Sequence, residues 1–204
     1  MKVEELLKRL FAGIVSMLVV AELLLVLVSW LLSATIAENV RSLLSSEGMR
    51  WFVGNFVSML STPWLVWLLL LAMAGGCVWQ SGVLSVFSAH VPSRNYRQRI
   101  ALRVALAFLI LYIAVVLLLT VVPHAVLLSA TGGLLPSPFS RALVPIAAFG
   151  LLLVSVTYGW LSGRFSSVAD ILASLSFGIG RAAPLFVLYV LVVQFYESLR
   201  FVLA

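Results

Sequence analysis

The chain has 204 residues, of which 63% are hydrophobic and only 10% charged, with a formal net charge of +6 and a mean hydropathy of +1.19. That composition leaves too little polar surface to face water, which excludes a soluble enzyme and a soluble nucleic-acid-binding module. The chain belongs in a bilayer.

A hydrocarbon core about 30 Å thick takes roughly 20 apolar residues of helix, because backbone polar groups find no partners in lipid. Residues 11–36 form the first such run, preceded by Lys2, Lys8 and Arg9. Its apolar core exceeds the roughly 7–15 residues of a secretory signal, so a retained spanning helix is expected. Residues 38–62 follow. There Ser45 and Ser46 are candidate N-caps for a helix carrying Glu47, Trp51, Phe52, Phe56 and Leu60, suited to lying at the membrane surface. The second span is expected at 63–87 and opens with Trp64 and Trp67, as an interfacial aromatic belt does.

A short basic turn containing Pro92 occupies 90–99, and the third span is expected at 100–122. Gly132, Gly133, Pro136 and Pro138 make 123–140 a loop, followed by a fourth span at 142–163. Ser167 and Asp170 form a capping-box pattern ahead of Val168, Ile171, Leu172 and Leu175 at helical spacing, with Gly178 as the expected stop. A fifth span is expected at 183–204. No stretch alternates with period two over a strand length, which argues against a β-barrel. The expected fold is all-α: a polytopic integral membrane bundle of about five transmembrane helices with short interfacial helices, forming one membrane domain over 1–204.

With the N-terminus in the cytoplasm, the inner side holds Lys2, Lys8, Arg9, Arg94, Arg97, Arg99, Arg103, Arg164 and Arg181, and the outer side Arg41, Arg50, Arg141 and Arg200. That asymmetry follows the positive-inside rule and accounts for the net charge through topology and anionic headgroups. No basic run or soluble module is present to bind nucleic acid. Cys77 is the single cysteine, so no internal disulfide can form. His90 and His124 are expected on opposite sides of the membrane, and the seven acids are scattered. No catalytic residue, cofactor or metal is therefore assigned, and the chain is read as a non-enzyme.

Glu22 is the chief polar candidate, since it falls near the middle of the first span, where an ionised carboxylate is costly. One reading is a proton- or cation-coupled site. The plainer one is a hydrogen-bonded glutamate that joins helices, with Tyr112, Thr157, Tyr158 or Gln194 as possible partners. Ser155, Gly159 and Gly163 at four-residue spacing form a small-residue stripe suited to helix packing, and Ala72 with Gly76 repeats it on the second span. Gly75-Gly76 could alternatively interrupt that span near a substrate site.

The stretch from Val40 to Phe52, with Leu43-Leu44-Ser45-Ser46-Glu47-Gly48 ahead of Trp51, resembles the segment before the second span of the AbgT family, the p-aminobenzoyl-glutamate transporters. The likeness continues through Gly75-Gly76 to Ser81-Gly82-Val83 and resumes at Arg97–Arg103. It runs on through Pro136-Ser137-Pro138-Phe139, Val144-Pro145, Val154-Ser155, Tyr158-Gly159 and Gln194-Phe195. The resemblance implies a bacterial inner-membrane, dimeric transporter with two re-entrant hairpins and an inverted repeat, and p-aminobenzoyl-glutamate-like or sulfonamide-like substrates. The chain departs from that pattern where the family places its hairpins: about a dozen residues separate Val83 from Arg97, and the chain stops soon after Phe195. A truncated, framework-only homologue lacking both hairpins is expected. No substrate or ion residue is carried over, and Glu47, Gly48, Trp51, Pro138 and Tyr158 are read as architectural.

These features lead to an expected non-catalytic membrane scaffold or accessory subunit, a homodimer or a component of a larger membrane complex. The alternative is a minimal oligomeric transporter or channel for a small solute, coupled to protons or cations through Glu22. Lipid is the expected surrounding partner, and nucleic acid is not.

Overall fold

A computed structural model of the chain describes residues 2–35, 40–87, 96–121 and 138–203. Among the described residues the structure is entirely helical: α1 (Lys2–Thr35), α2 (Ser46–Leu60), α3 (Pro63–Ser81), α4 (Leu84–Phe87), α5 (Tyr96–Val121), α6 (Pro138–Ser162) and α7 (Val168–Leu203). Five of these, α1, α3, α5, α6 and α7, are long and apolar enough to cross a membrane. The polytopic helical architecture anticipated from hydropathy is the one observed.

Two compact units make up the chain, one of Met1–Val66 with Ala183–Ala204, the other of Trp67–Ala182. In the first, Leu43, Phe201 and Val202 form a buried cluster against which Leu25, Val26, Val40 and Trp51 pack. In the second, Val83, Ala101, Ala105 and Tyr158 form the buried cluster, flanked by Leu102 and Val154. Ser29, Ser81, Ser155, Ser174, Ser198 and Cys77 are the largest side chains to be completely enclosed. Small residues at the contacts let helix backbones approach, as membrane helices require when lipid is as apolar as their own side chains.

Local chemistry sets the ends of the elements. Ser45 caps α2: its Oγ accepts from the Gly48 N–H at 3.0 Å, with extended backbone at φ −68° and ψ 162°. A Cβ on Gly48 would lie 2.5 Å from the Ser42 carbonyl oxygen, so no larger residue fits where the chain folds under α2. The anticipated Ser167–Asp170 box is reciprocal: the Asp170 N–H donates to Ser167 Oγ, and the Ser167 N–H donates to Asp170 Oδ2 at 3.0 Å. Proline opens both α3 and α6, where a missing N–H costs nothing.

Several boundaries differ from expectation. The second span ends at Ser81 rather than 87, because Gly82 takes a left-handed φ of 74° and starts a separate turn into α4. Helix α5 begins at Tyr96, inside the expected turn, and α6 at Pro138, inside the expected loop. The remainder of that turn and loop lies outside the described residues.

Helix α7 departs most, since Gly178 does not stop it. The short helix expected from 168 and the span expected at 183–204 form one helix of 36 residues, with Pro184 inside it. Continuing the helix keeps nearly every backbone group paired where lipid offers no alternative, and this outweighs the glycine's weak propensity.

Candidate functional site

Glu22 lies on α1, far from either end, and its partners come from α7. Gln194 and Ser198 are four residues apart, so they share one face of α7. Ser198 Oγ donates to Glu22 Oε1 at 2.7 Å, and Gln194 Nε2 donates to Ser198 Oγ at 3.0 Å. The three groups make a directed chain of hydrogen bonds that ends on the carboxylate. Ser198 is completely buried and Gln194 is 8% exposed.

The chain is incomplete. Glu22 Oε2 and Gln194 Oε1 are both buried and accept no hydrogen bond among the described residues. Arg41 and Glu47 form the one ion pair among the described residues, so no cation neutralises Glu22 there. Two buried acceptors without donors call for a proton, a water or a donor from another molecule. A cavity of about 170 Å³ adjoins Glu22 and Ser198, walled otherwise by Val26, Leu43, Leu44, Met49 and Phe52.

Of the other partners considered for Glu22, Tyr112 donates instead to the Ile146 carbonyl at 2.9 Å, joining α5 to α6. Tyr158 is 3% exposed within the second unit's core. Ser198, which carries the central contact, was not singled out from sequence. Its only signal was its spacing from Gln194.

The small-residue positions fall into two groups. Gly76 marks the crossing of α3 and α7 in the second unit, where an added Cβ would lie 2.4 Å from the Ser174 carbonyl oxygen. The reciprocal Cβ on Gly178 would meet the Ala72 carbonyl oxygen at 2.1 Å, and Cys77 Sγ sits 2.9 Å from Ser174 Oγ beside them. Gly75 faces open space.

On α6, Ser155 is completely buried, and its Oγ has no partner among the described residues. Gly159 receives the Phe165 ring and accepts at its carbonyl from the Arg164 and Phe165 N–H groups. Gly163 ends α6 with a left-handed φ of 82°. The last two thus shape a chain reversal closed by their own following residues.

Among the described residues no three His, Cys, Asp or Glu side chains gather to hold a metal. His90 and His124 lie outside the described residues. Of the positions read as architectural, Trp51 stacks on Phe201 with centroids 4.3 Å apart, and Pro138 opens α6.

No curated protein and no solved structure matches the chain. A family model does, over residues 88–201, a range that contains the likeness running from Arg97 to Phe195 but not the stretch from Val40 to Phe52. With more than half its length matched and five helices able to span a bilayer, the chain is a multi-pass membrane protein that belongs to the AbgT putative transporter family.

Proposed function

We propose that this chain is a non-catalytic scaffold or accessory subunit of a membrane transport system, working through helix-to-helix association. It would reside in the bacterial inner membrane with its N-terminus in the cytoplasm, as a homodimer or with other membrane subunits. One magnitude carries this reading. The cavity beside Glu22 holds about 170 Å³, whereas sites for small organic molecules span roughly 300–1,000 Å³. A solute the size of p-aminobenzoyl-glutamate does not fit there.

The apolar faces support the same reading. None of the residues in the most apolar stretch of α1 is buried, and Met17, Leu23, Leu24 and Leu27 are all exposed. Such a face suits lipid or another helix equally well. Purification in mild detergent with native mass measurement, followed by liposome reconstitution, tests the proposal. A defined oligomer or complex without uptake is expected, and uptake by the purified protein alone overturns it.

A second reading draws on the unpaired oxygens of Glu22 and Gln194. A buried carboxyl group with an unpartnered oxygen suits a minimal oligomeric transporter whose shared pathway passes Glu22. On that reading Glu22→Gln abolishes flux while leaving assembly intact; flux that survives the substitution removes it.

A further inference from the structure

Within the first unit, a groove of about 360 Å³ runs between the segment after α1, the start of α2 and the last turn of α7. Its lining is Arg41, Glu47, Trp51, Glu197, Arg200 and Phe201. A neighbouring cavity of about 300 Å³ shares Trp51 and Glu197 and extends the groove along α2 to Thr62. The first volume alone lies within the range of small-ligand sites.

The walls are tied in place. The Arg41 N–H donates to the Val202 carbonyl at 3.2 Å, and the Leu43 N–H donates to Ser29 Oγ at 3.3 Å. The floor is rigid too: Trp51 stacks on Phe201, which is 7% exposed, with the Arg41 guanidinium 5.9 Å from the Phe201 centroid.

The charges on this frame are left over. Two guanidiniums and two carboxylates line the groove and sum to zero. Among the described residues their one mutual contact is Arg41 to Glu47 at 4.0 Å, with side chains 52% and 72% exposed. A pair so long and so wet contributes almost nothing. Glu197 and Arg200, three residues apart on α7, form no ion pair with each other or with any other described residue. A groove with uncommitted charges of both signs fits a ligand that carries both signs.

We propose that this groove binds a zwitterion that combines a phosphate or carboxylate with a primary ammonium, of the phosphoethanolamine type. Arg41 and Arg200 take the anion, since guanidinium forks match phosphate and carboxylate geometry. Glu47 and Glu197 take the ammonium. A quaternary ammonium fits less well, because it has no N–H to donate to the Glu47 and Glu197 carboxylates. Trp, Arg and Glu gathered from the segment after α1, from α2 and from the end of the α7 span are the chemistry of the headgroup layer, so a phospholipid headgroup and a free soluble zwitterion are the two sources.

The full chain in nanodiscs made from equal phosphatidylethanolamine, phosphatidylcholine and phosphatidylglycerol tests the proposal, by native mass spectrometry of the retained lipid. Preferential retention of phosphatidylethanolamine is expected, lost by about tenfold in R41Q/R200Q and in E47Q/E197Q, as one charge-assisted contact is worth. These side chains are exposed or half-buried, so both variants are expected to fold; unchanged helical circular dichroism checks it. Competition by soluble glycerophosphoethanolamine, lost in the same variants, separates the sources: binding of the soluble compound without lipid preference keeps the zwitterion site and assigns it an aqueous ligand. Equal retention of all three lipids with no soluble binding overturns the proposal. So does preference for phosphatidylglycerol, or a preference that both variants leave intact.

Discussion

Ser198 donates a hydrogen bond of 2.7 Å to a Glu22 carboxylate oxygen, joining residues 176 positions apart. A buried carboxyl group accepting one hydrogen bond, with its other oxygen unpartnered among the described residues, depends heavily on that donor. Removing it leaves the acceptor unsatisfied as well as unbound, and the penalty for a buried orphaned group is about 1–3 kcal/mol.

Ser198→Ala is therefore expected to lower thermal stability in detergent by about 1–3 kcal/mol. Glu22→Gln keeps the shape and the hydrogen-bond acceptor for Ser198, so it should cost less than Ser198→Ala. Thermal unfolding of the two variants side by side checks the order, and the reverse order would mean that the charge itself is what stabilises the pairing.

Adjacent glycines on α3 should respond oppositely. Gly76→Ala places a methyl group 2.4 Å from the Ser174 carbonyl oxygen, against helix backbone that cannot yield locally. Overpacking of that kind costs about 1–3 kcal/mol, and helix separation is the way to relieve it. Gly75→Ala meets nothing within 4 Å and gains helix propensity, so it should be neutral or stabilising by up to about 1 kcal/mol. Melting temperatures of the pair distinguish close packing from backbone flexibility as the reason for Gly75-Gly76.

Gly163→Ala tests the reversal after α6. A φ of 82° penalises any residue with a Cβ, by about 1–2 kcal/mol. The nearest atoms to that Cβ are 3.6 Å away on Arg97, so the loss comes from backbone strain and not from a clash. Gly163→Asn should recover part of the stability, because asparagine tolerates left-handed backbone, whereas a steric origin would make asparagine worse than alanine.

Trp51 and Phe201 should prove energetically coupled. Their stacked rings, 4.3 Å apart, predict a double-mutant-cycle coupling of about 0.5–1.5 kcal/mol between Trp51→Ala and Phe201→Ala. Loss of the stack should also raise protease sensitivity around α2, which rests on that contact and on its Ser45 cap. Additive losses would show that α2 is held by other contacts.

Residence in a bilayer, the five long apolar helices, the Ser45 cap and the Ser167–Asp170 box were all readable from sequence. Each depends on hydropathy or on hydrogen bonds within a few residues, and local chemistry is complete in the local sequence. The partner of Glu22, the meaning of Gly178 and the neighbours of Gly159 were settled only by tertiary structure. Several polar side chains could have answered a buried glutamate, and nothing local ranks Ser198 above Tyr112. A glycine reads as a helix stop until another backbone presses on it and lipid removes the option of ending there. Long-range pairing selects among locally equivalent groups, so geometry across the fold had to make the choice.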